Sequence, residues 1–190
     1  MLDLPAPTFP RPDASVRPAR RSDAEALAAV TLASWREQYA AVLPAAASAL
    51  DDAALVERWA DALGAADGSA VYVACAGDDV VGLAVVAPAA DPDLDDAGAG
   101  ASGAAEVAEL VVRPGATREG HGSRLLAAAV DHAREQGRTV VVVWCGTGDD
   151  ARRAFLESAG LAPDGATRTL DDGAGSTWRQ VRLAASIVDD

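Results

Sequence analysis

Glu106-Val-Ala-Glu-Leu-Val-Val-Arg-Pro-Gly-Ala-Thr-Arg-Glu-Gly-His-Gly122 is the stretch from which the rest of the chain is read. Its apolar first part is a strand ending at Val112. A loop holding Pro114, Gly115, Gly120 and Gly122 follows, and then a run with helical spacing. Leu125, Leu126, Ala129, Val130 and Ala133 fall on one helix face, and Gly137 stands where such a helix stops. A strand, a glycine loop and a helix start together make an anion site, because uncompensated N–H groups and the helix dipole point into the loop. Glycine, without a Cβ, lets the backbone approach a diphosphate closely.

Spacing separates the families that use such a loop. A nucleotide P-loop needs G-x-x-x-x-G-K-[ST]. Gly115 and Gly120 have that separation, but His121 and Gly122 occupy the Lys and Ser/Thr slots, so an NTPase is excluded. A dinucleotide fingerprint needs its glycines in the turn directly after the strand. Here Gly120 lies well beyond Val112, and Leu125 stands at the third glycine.

The order instead resembles the GCN5-related N-acetyltransferases, the acetyl-CoA-dependent GNAT family. That family has a strand, a Val-x-Pro step and a [Q/R]-x-x-G-x-[G/A] loop that holds the CoA pyrophosphate. Leu110-Val111-Val112-Arg113-Pro114 and Thr117-Arg118-Glu119-Gly120-His121-Gly122 are similar to these. Thr117 replaces the Gln or Arg, with Arg118 one residue on to supply the charge, and His121 fills a slot that is usually aliphatic. The resemblance spans roughly Val16 to Leu183.

It implies a mixed α/β (α+β) GNAT acyltransferase fold, with a central mixed, twisted sheet of about seven strands and flanking helices. It also implies that the strands ending at Val112 and Trp144 splay apart, so that the pantetheine arm enters as a pseudo-strand bonded by Leu110, Val111 and Val112. Thr117, Arg118, Glu119, Gly120, His121, Gly122 and Ser123 would hold the pyrophosphate, mostly by backbone. The family's N-x-x-A-x-x-F-Y pattern reads here Asp149, Arg152, Phe155, Leu156. Asp149 and Phe155 are therefore further cosubstrate candidates, while the Asn, the Ala and the acid Tyr are replaced.

The 190 residues suffice for one domain with a real core. The expected division is a Pro-rich flexible leader over 1–15, one domain over 16–184 with a flexible insertion loop at 88–104, and a tail at 185–190. No apolar run approaches the roughly 20 residues of a membrane helix, and no secretory signal is visible, so a cytoplasmic protein is expected. The net charge of −13, from 29 acids against 16 bases, argues against nucleic acid and favours a cationic small molecule or basic peptide. Solubility alone also accounts for it. Every base is arginine, and no lysine is present to act as nucleophile or acetyl acceptor. The two cysteines and two histidines lack metal-ligand spacing, so no metal is expected.

Ser22-Asp23-Ala24-Glu25 has the capping-box pattern and opens a helix reaching Tyr39. A second helix carries Leu55, Trp59 and Leu63. The runs 71–76 and 80–86 form a hairpin across Gly77-Asp78-Asp79. Thr139 to Trp144 is a doubly buried strand, 147–160 a helix, and Arg168 to Leu183 a final hairpin.

Acetyl transfer to an amine needs a base, an oxyanion donor and help for the leaving thiolate. Glu106 and Glu109 are the base candidates, expected on opposite strand faces; Glu106 is favoured, because it falls where some family members carry a catalytic glutamate. A backbone N–H near Val111 would bind the oxyanion. Tyr39 and Tyr72 are the only tyrosines available as acid, and Tyr39 is the candidate; Ser158, water or no acid at all are the alternatives. Trp35, Tyr39 and Trp144 are candidates for acceptor binding, with Arg36 and Trp59 behind them. His121 either bonds a phosphate or faces solvent at the helix start. The function implied is direct transfer from acetyl-CoA to a primary amine in a ternary complex, by a chain that is monomeric or a homodimer. The alternatives are a CoA-binding module without catalysis and a nucleotide-binding α/β domain.

Overall fold

The computed structural model describes residues 14–65, 68–91, 94 and 103–188. Most of the leader, most of the 88–104 loop and the last two residues lie outside the described residues. Seven strands form one sheet: β1 (Ala14–Pro18), β2 (Ala70–Ala76), β3 (Asp79–Pro88), β4 (Ala104–Val112), β5 (Val140–Gly146), β6 (Ala162–Asp171) and β7 (Thr177–Ser186). Their spatial order is β1-β2-β3-β4-β5-β7-β6. Only β4 and β5 run parallel; every other neighbouring pair is antiparallel. The helices are α1 (Ala24–Tyr39), α2 (Pro44–Ser48), α3 (Asp52–Ala62), α4 (His121–Glu135) and α5 (Asp150–Ser158).

Strand alternation sorts the side chains to two faces. Val81, Ala84, Val141, Val143 and Leu183 meet Leu125, Leu126 and Ala129 of α4 and Leu156 of α5. Val73, Leu83 and Val111 meet Leu27, Ala28 and Val30 of α1 with Leu55 and Trp59 of α3. A third, smaller cluster of Ala89, Leu94, Ala104 and Val142 ties the described part of the 88–104 segment to the sheet.

The structure differs from the sequence reading at several element ends. The capping box forms on Arg20 and Asp23 rather than on Ser22 and Glu25. Asp23 turns its carboxylate to the Arg20 N–H at 2.7 Å, closing the short 3-10 turn Arg21–Asp23 that leads into α1, and to the Arg17 guanidinium at 2.7 and 3.0 Å. That ion pair, with the Arg20 N–H, holds the Asp23 carboxyl below the usual carboxylate range. Pro44 starts the short helix α2, since proline suits a first helical position. β7 runs on to Ser186, with Ile187 buried behind it, because the β5 ladder supplies partners that far, and β6 begins at Ala162, which pairs with Ala184 of β7. No helix among the described residues is long and apolar enough to cross a membrane.

Leu125 is fully buried between α4 and the sheet. Leu125→Ala is expected to cost about 3 kcal/mol and to lower Tm by roughly 6–12 °C for a chain of this size, measured by thermal unfolding.

Candidate active site

The centre of the sheet opens. β4 and β5 pair only over Ala104–Glu106 and Val140–Val142. Beyond that, β5 stays with β7 as far as Gly146, while β4 continues to Val112 against β3 alone. The Arg113 N–H bonds the Val81 carbonyl at 2.8 Å. Antiparallel alternation then turns the main chain of Val111 to β3 and those of Leu110 and Val112 to the gap. The gap-facing donors are thus the Leu110 and Val112 amides, not that of Val111. The Leu110 carbonyl confirms the direction by accepting from Arg152 Nη1 of α5 at 2.9 Å.

The loop reaches α4 through three left-handed residues: Gly115 at φ +89, Arg118 at φ +63 and Gly120 at φ +80. Arg118 is the only non-glycine with positive φ among the described residues. Gly120 is the N-cap and has no side chain to offer, and the first turn holds no acid. The first helical bond runs from Arg124 N–H to the Gly120 carbonyl, so the amides of His121, Gly122 and Ser123 have no helical partner. They open onto a cleft of about 410 Å³ lined by Leu110, Val112, Thr117, Arg118, Phe155 and Arg152, among others. A Cβ on Gly122 would stand 3.6 Å from the Phe155 ring, narrowing the passage. Strand edge and helix start meet in one groove, a fit for an extended chain ending in a diphosphate.

His121 corrects both of its sequence readings. It is 2% exposed, neither ring nitrogen has a hydrogen-bond partner, and Glu119 Oε2 lies 3.7 Å from Nε2. It shares the buried stripe of Leu125 and Ala129, at four-residue steps, so its side chain faces inward and only its N–H faces the loop. Asp149 is used as the N-cap of α5, accepting from the Arg152 N–H at 3.0 Å. Leu156, in the acid's slot, is fully buried in the core.

Glu106 and Glu109 share a face, contrary to the sequence expectation. Val86 pairs with Val107 but Val85 pairs with Glu109, so Ala108 is the extra residue of a β-bulge. Val107 and Leu110 accordingly both pack on the α4 side, and both glutamates point to the α1 side. There Trp35 Nε1–H donates to Glu109 Oε2 at 3.3 Å. Tyr39 stands edge-on to Trp35 at 5.6 Å and to Trp178 at 5.3 Å. Arg168 stacks over Trp144 at 4.4 Å, donates to Gln180 Oε1 at 2.6 Å and sits 3.8 Å from Glu106 Oε1. The Trp144 ring is therefore buried beneath a guanidinium. Arg182 bridges Asp164 and Asp91, each at 2.6 Å.

Burial pushes the Glu109 carboxyl above the ordinary range, against the Trp35 N–H and the charge of Arg152. Burial also raises Glu106, opposed chiefly by Arg168. Burial and then the charge of Glu109 push the Tyr39 hydroxyl up to about 12, so it stays protonated at neutral pH. Two candidates fall away from this face: Trp59 is a core residue donating to Thr31 Oγ1 at 3.2 Å, and exposed Arg36 pairs with Asp52 at 3.0 Å. Three residues escaped the sequence reading: Trp178, Arg168 and Arg152. The first two lie on the last hairpin, where alternation with Val181 and Leu183 signals the face opposite the core; Arg152 was visible only as a departure from a motif.

Residues 31–161, more than half of the chain, match the model of the acetyltransferase (GNAT) family, and the chain belongs to that family. Among curated proteins there is no significant match. Solved structures share the fold at low identity. The yncA putative acetyltransferase of Salmonella typhimurium, with its cofactor acetyl-CoA, is 19% identical over 93% of this chain and 95% of its own, at a TM-score of 0.70. The ribosomal-protein-alanine N-acetyltransferase of Brucella melitensis is 23% identical over 90% and 99%, at 0.71. The PaiA N-acetyltransferase of Thermoplasma acidophilum, in complex with coenzyme A, is 16% identical over 89% and 98%, at 0.59.

Because the folded-state pKa of Glu109 is raised, its ionisation costs stability. The cost is absent below the ordinary carboxylate range and grows as pH rises through the raised value. Glu109→Gln is expected to raise Tm near neutral pH, by about 2–4 °C per kcal/mol relieved, and to leave it nearly unchanged at about pH 4. Thermal unfolding across pH checks both.

Proposed function

We propose that this chain is an acetyl-CoA-dependent N-acetyltransferase that passes the acetyl group directly to a primary amine of a small molecule or peptide, in a ternary complex. One observation carries the reading: the unpaired edge of β4 and the uncapped start of α4 open onto the same cleft. Thioester and amine approach from opposite faces of the sheet, and the parted strands let them touch.

The diphosphate lies on the amides of Gly120, His121, Gly122 and Ser123, with Arg118 beside them. The pantetheine arm bonds the Leu110 and Val112 main chains as a missing strand would. The acceptor amine enters against Trp35, Tyr39 and Trp178. A typical amine is mostly protonated at neutral pH, so a carboxylate must first take its proton. Glu109 suits this better than Glu106, since burial raises both but Glu106 faces the Arg168 guanidinium. Glu109 hands that proton to solvent; the amine then attacks the thioester carbonyl, the oxyanion turns to the gap-facing amides, the tetrahedral nitrogen gives its excess proton to the freed carboxylate, and the thiolate leaves. Tyr39 is a hydrogen-bond donor here and not a base, because its proton is held. The acidic balance of the chain favours a cationic acceptor.

Thermal shift and a free-CoA release assay test this. Acetyl-CoA at about 100 times Kd is expected to raise Tm by roughly 5 °C or more, with ATP and NAD inert; stabilisation by ATP or NAD alone would overturn the reading. Against a panel of primary amines, Glu109→Gln should lower kcat about 100-fold or more with KM for acetyl-CoA unchanged, and Glu106→Gln should act more weakly. Binding without turnover on every amine would favour a CoA-binding module, which the burial of Leu156 in the acid's slot supports.

A further inference from the structure

Arg152 stands out among the groups on the cosubstrate side. It is the third residue of its helix turn after the Asp149 cap, so its Cα is pinned at the mouth of the strand gap. Its side chain crosses from α5 to β4 and caps the Leu110 carbonyl at 2.9 Å. Its Nε–H is buried with no hydrogen-bond partner, a donor left idle in a structure that satisfies most such groups. It lines the groove with Gly120, Gly122 and Phe155, and also the adjoining hollow with Ser34, Gln38 and Val111 on the α1 side. Its charge is felt by Glu109 and Tyr39 on one side and by Cys145 on the other. One guanidinium therefore reaches the point where the two halves of the site join.

Among the described residues, no tyrosine of this locality stands free to donate a proton to the sulfur. Leu156, one turn on, is entirely inside the core. Tyr39 lies across the gap, walled in by Trp35 and Trp178.

The geometry points to Arg152 as the group that stabilises the departing CoA sulfur, as a fixed positive charge rather than as an acid; this rests on the acetyl-CoA reading above. In the transfer the amine nitrogen forms a bond to the acetyl carbon and the carbon–sulfur bond breaks, its electron pair staying on sulfur. Glu109, having passed the first ammonium proton to solvent, takes the proton that the attacking nitrogen still carries in excess. The thiolate then needs no proton within the site, because the Nε–H and Nη groups of Arg152 face its new charge. A guanidinium keeps its own proton throughout the working pH range, so this device separates charge stabilisation from proton transfer. In the unliganded chain the same side chain rests on Leu110, the carbonyl an incoming pantetheine amide would use. Arrival of the arm frees Arg152 to turn toward sulfur.

The ultraviolet absorbance of the thiolate, titrated in the complex of the full chain with CoA, reads this directly. The CoA thiol bound to the wild type should titrate about one unit or more below free CoA. Arg152→Gln should return it toward the free value and lower kcat about tenfold or more, while Arg152→Lys should keep most of the depression. A merely structural tie between α5 and β4 would leave the thiol titration unmoved. Identical titration in wild type and Arg152→Gln would overturn the proposal, as would a Lys variant without the depression. Loss of CoA binding in Arg152→Gln would overturn it as well, since groove shape would then explain the residue. If CoA fails to raise the Tm of the wild type, the acetyl-CoA reading itself falls and this inference with it; if CoA binds but its thiol is unshifted, only the role of Arg152 falls.

Discussion

After Glu106 and Val142 the two parallel strands at the centre of the sheet stop bonding each other, and the remaining architecture answers that parting. A strand edge inside a protein leaves main-chain donors and acceptors in need of partners. β5 finds its partners in β7 along its whole length, and β4 finds half of its own in β3. The other half, at Leu110 and Val112, faces a groove. The helix that begins beside that groove also has unmatched amides, because Gly120 offers no cap and no acid fills the first turn. Two kinds of unsatisfied backbone, a sheet edge and a helix start, thus share one space. An extended amide-bearing chain with a diphosphate at its end complements both.

The opposite face carries different physics. Trp35, Tyr39 and Trp178 form an edge-to-face aromatic wall, with Glu109 held against it by the indole of Trp35. Ring packing of this kind excludes water and so raises the carboxyl and the phenol alike. Arg168 stands beside Glu106 and Arg182 bridges Asp91 and Asp164, whereas Glu109 is held by an uncharged indole.

The groove between β4 and α4 was legible in the sequence, because it is written in local terms. The Val-x-Pro step, the glycines at Gly115, Gly120 and Gly122 and the stripe of Leu125, Leu126 and Ala129 each fix a conformation from neighbouring residues alone. The aromatic and charged face was only partly legible. Trp178 and Arg168 reach it from the last hairpin through strand pairing, and Arg152 reaches the groove from a helix cap, which no local pattern encodes. His121 was misread for a related reason: its chemistry drew attention to the anion, while its four-residue step to Leu125 already placed it in the buried stripe. Asp23 likewise lay inside a pattern read as a cap by Ser22 and Glu25, whereas its own carboxylate closes the preceding turn on the Arg20 N–H and pairs with Arg17.

Ala108 has a consequence out of proportion to its size. Upstream of it, odd-numbered residues of β4 look toward α4; downstream, even-numbered ones do. The strand therefore changes parity in mid-course, and two acids that strict alternation would set back to back become neighbours. Any template that counts by twos along this strand will read its second half inside out, assigning the core residue Leu110 to the α1 face and the carboxyl of Glu109 to the core.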